Sequence, residues 1–194
     1  MKPGIVLMGI GVALVMGVAG CSQKADNTPK DALVKAGNAL FNGDKEAYLA
    51  NVRDPQGTQA YTEAMLDTRK ETRALIEAVR KALGDKVAKE FEGQDQPAMT
   101  AAATQADKLT FDVEGTVAVA TTPDKKELRF ILEGNHWKVD LSQSKPASAE
   151  ATKQEKAKAQ AFRKVTPQVG KPGFETKENI DKALMAEIRK AMGS

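Results

Sequence analysis

Thiols, imidazoles and aromatic rings are scarce in this chain, and each shortage removes a class of chemistry. One cysteine, Cys21, rules out a disulfide framework and a cysteine-ligated zinc. One histidine, His136, rules out the paired-histidine metal motif. Aromatic residues make up 5% of the chain, too few to interleave with lysines as base-stacking platforms. The formal net charge of +3 gives no global bias toward nucleic acid. The sequence also lacks a Walker loop, a Gly-rich dinucleotide fingerprint and a nucleophile-elbow pattern. We therefore expect no enzymatic activity, no nucleic-acid partner and no non-covalent cofactor.

What is present begins with Val18-Ala19-Gly20-Cys21. Lys2 supplies a positive n-region, Ile5 to Val18 an apolar h-region, and Gly20 the small residue before a cut. The uncharged run from Pro3 to Gly20 is at the short limit for a spanning helix of roughly 20 residues, and Gly4, Gly9, Gly11 and Gly17 weaken it further. The segment resembles the lipobox of bacterial prolipoproteins, with valine where leucine is more usual. That resemblance implies cleavage between Gly20 and Cys21, diacylglycerol on the Cys21 sulfur and an acyl chain on its new amine. It also implies attachment to a bacterial envelope membrane, and Ser22 implies the outer membrane, facing the periplasm, if the organism has two. Residues 1–20 are then a signal peptide and 21–27 a short lipidated tether.

Thr28-Pro29-Lys30-Asp31 reads as a helix start, with Thr28 as cap, proline in the first turn and Leu33, Ala36, Leu40 and Phe41 on one face. Asn42-Gly43 ends that helix, and Asp44 caps a second carrying Tyr48, Leu49 and Val52. Asp54 to Gly57 reads as a turn. From Thr58 a long helix carries Tyr61, Met65, Thr68, Thr72, Leu75, Ile76, Val79 and Leu83 on one stripe, and charged residues on the other side that read as a solvated face. A short helix over 85–92 adds Val87 and Phe91.

Beyond Leu109 the period becomes alternating. Leu109, Phe111, Val113, Val117 and Val119 are expected to face one way, with Gly115 as a bulge or close-approach point. After a turn at Thr122 to Lys125, Leu128, Phe130 and Leu132 share a face, Gly134-Asn135 closes a hairpin, and Trp137, Val139 and Leu141 follow. This register pairs Leu132 with Trp137 and Phe130 with Val139, sets Arg129 opposite Asp140, and places Val117 beside Phe130. The expectation is an α+β fold: N-terminal helices on an antiparallel meander of at least three strands, its apolar face covered by the long helix, and C-terminal helices after it.

Phe41-Asn42-Gly43-Asp44, Ala47-Tyr48-Leu49 and the closing Gly134 to Val139 strand resemble small bacterial lipoproteins with a nuclear transport factor 2-like, cystatin-like domain. The likeness spans about 28–143. It implies a concavity between sheet and helices, for which Phe111, Val117, Phe130 and Trp137 are the candidate lining, although a filled core explains the same apolar set. On the outer face Glu114, Glu133 and His136 form a candidate weak metal or proton site, against the simpler reading of a solvated hairpin tip.

Residues 144–194 differ in composition and read as a basic helical extension. Ser144 to Ala161 reads as an exposed helix or linker, Phe162 and Val165 as a small docking face, and Thr176 as the cap of a last helix with Ile180, Leu184, Ile188 and Met192 on a narrow stripe. The functional expectation is a non-enzymatic envelope lipoprotein binding a protein partner or small ligand near the membrane. The alternative is a scaffold acting through its basic extension on anionic lipid or cell wall.

Overall fold

The computed structural model describes residues 25–53, 59–92, 103–122, 127–143 and 147–193. Gly20, Cys21 and the turns read at 54–57 and 123–125 lie outside them. Among the described residues the architecture is α+β, with helices before and after a five-stranded mixed sheet. The first two helices, α1 (Pro29–Asn42) and α2 (Lys45–Asn51), begin where their caps place them. Thr28 and Asp31 exchange a capping box, and the Asp44 side chain accepts from the Ala47 N–H at 3.0 Å.

The strands are β1 (Val52–Arg53), β2 (Thr110–Glu114), β3 (Val117–Thr121), β4 (Glu127–Glu133) and β5 (His136–Asp140), in the order β1-β5-β4-β3-β2. The hairpin closed by Gly134-Asn135 has the expected register, Leu132 opposite Trp137 and Phe130 opposite Val139. The preceding run is not one bulged strand. Gly115-Thr116 is itself a tight turn, with Gly115 at φ +59, so β2 and β3 form a separate hairpin.

That extra turn reverses a face. Ala118 pairs with Phe130 and Ala120 with Leu128, and both alanines are buried, while Val117 and Val119 lie opposite Ile131 and Arg129 on the other side of the sheet. Their assignment to the core face is thus corrected. The physical reason lies in the helix covering that face. The buried side of α1 is mostly small, with Ala32, Ala36, Gly37 and Ala39 beside Leu33 and Leu40, and it shares one cluster with Ala118, Ala120, Phe130, Trp137 and Val139. Small residues on both surfaces let helix and sheet approach closely.

Val52 is also reassigned, from the end of α2 to β1, where it pairs in parallel with Val139. The free edge of β5 is otherwise taken by the N-terminal segment. The Asn27 side chain donates to the Trp137 carbonyl at 3.0 Å and accepts from the Trp137 N–H at 2.7 Å, and the Asp26 N–H donates to the Asn135 carbonyl at 2.7 Å. An asparagine amide supplies the donor and acceptor that a neighbouring strand would.

The long helix α3 (Gln59–Leu83) does not lie over the sheet as expected. Only its N-terminal half reaches the first core, through Leu66 and the half-buried Met65. Leu75, Ile76 and Val79 instead build a second cluster with α4 (Asp85–Glu92), α5 (Ala149–Val165) and α6 (Lys177–Met192). Ala161, Val165, Ile180 and Leu184 are buried there. The docking face of residues 149–192 is therefore extensive, not the small one expected from Phe162 and Val165. The compositional line at 143/144 divides residues that close one core.

Gly43 sets how the two layers meet. Its φ of +68 ends α1, and a Cβ placed there would come within 2.5 Å of the Lys70 nitrogen and 2.8 Å of the Leu66 carbonyl oxygen. Gly43→Ala therefore combines left-handed strain with a backbone clash and is expected to lower unfolding stability by about 2–4 kcal/mol. Urea denaturation measures this, and Gly134→Ala, which meets open space, is the control with the smaller loss.

Candidate functional site

The residues singled out in the sequence fall at three separate places. Glu133 and His136 are register partners at the tip of the β4–β5 hairpin, whereas Glu114 pairs with Val117 beside the other turn. The Glu133 carboxylate lies 3.3 Å from the Arg53 guanidinium and 3.1 Å from the Lys138 ammonium. His136 Nδ1 lies 3.3 Å from an Asp26 carboxylate oxygen. The three residues thus do not converge. Among the described residues no group of three His, Cys, Asp or Glu side chains is placed to hold a metal ion.

Phe111, Phe130 and Trp137 do share the core face, but Val117 is on the opposite one. Phe130 is fully buried and its ring tilts against that of Phe111 with centroids 5.6 Å apart. Leu33, Leu40 and Tyr48 are buried in the same cluster. These side chains pack one another as a core.

The outer face of the sheet holds a different polar arrangement. The Asp140 side chain is only 2% exposed, yet a charge and a hydrogen-bond donor meet it: Arg129 Nε lies 3.3 Å away and the Ser142 N–H donates to its carboxylate at 3.0 Å. Burial pushes this carboxyl up, but the Ser142 hydrogen bonds and the charges of Arg53 and Arg129 outweigh it and hold it below the usual carboxylate range. A hollow of about 390 Å³ opens here, lined by Val119, Glu127, Arg129, Asp140, Leu141 and Gln143. Its one buried charge is compensated internally, which makes it a structural ion pair.

The better-formed cavity lies between α3, α4, α5 and α6 and has a volume of about 450 Å³. Its floor is apolar: Leu75, Ile76, Phe91, Phe162, Leu184 and Ile188. Thr68, Arg69, Thr72, Lys158 and Asp181 supply its polar lining. The carboxylate of Asp181 is held by Lys177 at 2.5 Å, and the Lys177 ammonium stands 5.2 Å from the centre of the Phe91 ring. Lys158 pairs with Glu155 at 2.8 Å. The size and the combination of an apolar floor with a few polar groups at the mouth suit a small organic ligand. Sequence reasoning did not assemble this cleft. Its signal was present as apolar stripes on three helices with no assigned partner, those of Phe91, Phe162 and Leu184.

Several of the described basic residues after 144 are engaged by acidic or carbonyl groups. Arg163 meets Glu71 at 2.8 Å and Asp67 at 3.9 Å, Lys164 meets Glu187 at 2.6 Å, and Lys153 donates to the Met192 carbonyl at 2.9 Å. Glu71, read from the sequence as part of a solvated face, is instead covered by α5. Comparison with known protein families, with curated proteins and with solved structures finds no match.

Asp140 yields a pH prediction. Because its folded pKa is depressed, the stability it contributes is present above the unfolded value of about 3.9 and is lost as pH falls through the folded value. Asp140→Asn should cost about 1–3 kcal/mol at neutral pH by leaving Arg129 without its carboxylate. The gap between variant and parent in chemical denaturation should narrow as pH drops below 4.

Proposed function

We propose that this chain is a bacterial envelope lipoprotein, anchored by lipid on Cys21, that binds a small ligand in the interhelical cleft without transforming it. The observation that carries the binding half is the cleft itself, lined by residues of four helices that combine an apolar set with a few polar groups. Two features favour a binder over a catalyst. The carboxylate on the rim, Asp181, is committed to Lys177, and the one histidine lies at the β4–β5 hairpin tip against Asp26. A general acid or base would need a free position facing the ligand.

The anchoring half rests on the order of charge, apolar run and small residues before Cys21. No described helix is long and apolar enough to cross a membrane. Acyl chains on both sulfur and amine give the multiple-chain anchoring that one chain does not sustain. The nuclear transport factor 2-like resemblance stays part of this reading. A helix held against a meander sheet supports it, while the apolar filling beneath α1 moves the proposed binding site from that concavity to the helical layer.

The scaffold alternative asks the basic stretch after 144 to face anionic polymer. The ion pairs of Lys158, Arg163 and Lys164 with this protein's own carboxylates favour the cleft reading over it.

Two measurements test the proposal. Expression with an alkyne-tagged fatty acid should label the parent chain in the membrane fraction, and Cys21→Ser should abolish the label and shift the protein to the soluble fraction. Labelling that persists in the variant rejects the anchor. For the cleft, Met185 at its mouth is half exposed, so Met185→Trp should fill the entrance without disturbing the core. Titration with anilinonaphthalene sulfonate, an apolar anionic dye, should then show at least about tenfold weaker binding, ~1.4 kcal/mol. Unchanged circular dichroism would establish that the fold is intact, and an unchanged dye affinity would reject the cleft as the site.

A further inference from the structure

The route of the chain out of the domain determines which end of it can meet a membrane. Asp26 and Asn27 are fixed to β5 by three hydrogen bonds, at Asn135 and Trp137, next to the Gly134-Asn135 turn. Cys21 is five residue steps from Asp26, and a fully extended chain covers about 3.5 Å per step, so the leash is at most about 17 Å long. The second turn, Gly115-Thr116, lies at the same end of the sheet, because the Leu132 N–H donates to the Thr116 carbonyl at 2.8 Å. The exposed residues of this end include Glu114, Thr116, Glu133, Gly134 and His136. Among the described residues Val113, beside Glu114, is the one large apolar side chain exposed near it and the others are polar or glycine, so this end suits contact with headgroups and not deep insertion.

The cleft lies in the other direction. Starting beside Trp137, α1 runs 14 residues, about 21 Å, to Gly43. At that far end β1 returns to pair with Val139 and Asp140, the end of β5 remote from the turn. Gly43 seats on α3 at Leu66 and Lys70, and the Phe41 ring takes the Arg73 guanidinium 4.5 Å from its centre. Thr68, Arg69 and Thr72, which line the cleft, belong to that same stretch of α3.

We infer that the two-turn end of the sheet is the bilayer-facing pole of the protein, and that α1 acts as a strut holding the interhelical cleft on the side away from the membrane. The ligand class follows: a water-soluble molecule arriving from the aqueous compartment, with an apolar part for the cleft floor, and not a lipid drawn from the bilayer. This inference rests on the lipidation of Cys21 and deepens the proposal above.

Because Cys21 is the sole cysteine and is consumed by lipid, any introduced cysteine is a unique labelling site. Full-length lipidated protein would be placed in phosphatidylethanolamine–phosphatidylglycerol vesicles carrying a headgroup energy acceptor. A donor dye would sit in turn at Thr116→Cys, at Glu127→Cys and at Met185→Cys. Glu127 is exposed at the opposite end of β4, about 20 Å from the turns, and Met185 is at the cleft. Transfer should be severalfold stronger from position 116 than from 127 or 185. Equal transfer at all three, or the reverse order, overturns the orientation while leaving co-sedimentation with vesicles, and hence the anchor, intact. Failure to co-sediment overturns both. Asn27→Ala, which releases the leash from Trp137, should keep co-sedimentation and reduce the contrast. An undiminished contrast in that variant rejects the clasp as its cause.

Discussion

The backbone contact between Gly43 and α3 is the constraint on which the rest of the arrangement depends. Without a side chain at 43, the end of α1 closes directly on the turn of α3 that holds Leu66 and Lys70. That single approach makes α3 a member of two cores, contributing Leu66 beneath the sheet layer and Leu75, Ile76 and Val79 to the helical layer. Within that same turn, the Thr68 hydroxyl lies 2.9 Å from both the Ala64 and Glu155 carbonyl oxygens, fixing α5 against it. The cleft opens where these attachments end, so its position is a consequence of how closely α1 and α3 can cross. A larger residue at 43 would move the two layers apart before it altered any residue of the cleft.

Elements governed by local chemistry were readable from the sequence. Thr28, Asp44 and Thr176 cap their helices because a short polar side chain next to an apolar-periodic run has few other uses, and each accepts the expected backbone N–H. The Gly134-Asn135 hairpin and the Arg129–Asp140 pair across it followed from turn chemistry and alternation. The Gly115-Thr116 hairpin did not, because threonine in the second position is a weak turn signal, and a run of valines on either side of one glycine looks continuous. Once that turn was missed, hydrophobicity itself misled. Valine is more apolar than alanine, yet alanines 118 and 120 face the core, since the space left by α1 is set by close approach and not by maximal apolar area.

The cleft was illegible for a different reason. Each of its walls appears in the sequence as an amphipathic face, but amphipathicity states that a face is covered without stating by what. Phe91, Phe162 and Leu184 are separated by about 90 residues, and nothing local indicates that their helices meet. The same holds for Arg163 and Glu71, 92 residues apart, which looked like a basic extension and a solvated acidic face until packing joined them. Composition reported the charges of residues 149–192 correctly and their surroundings incorrectly, because lysine and arginine stems can lie along a packed helix while their heads find carboxylates nearby.

The edges of the sheet bear on what kind of partner the protein can accept. Asp26 and Asn27 occupy β5 at Asn135 and Trp137, and β1 occupies it from Val139, with the Leu141 N–H donating to the Arg53 carbonyl at 3.0 Å. That edge is therefore spoken for along its length, and an incoming strand would first have to displace the N-terminal segment. The other edge, β2, presents Thr110, Asp112 and Glu114 on one side and the half-exposed Val113 on the other. Two carboxylates on a five-residue strand oppose pairing with a second copy, which would bring like charges together. With one edge closed by Asp26, Asn27 and β1 and the other carrying acidic side chains, strand addition is disfavoured on both sides. A partner that did not add a strand would meet side-chain surfaces, and among the described residues the cleft of the helical layer is the one with an extended apolar lining.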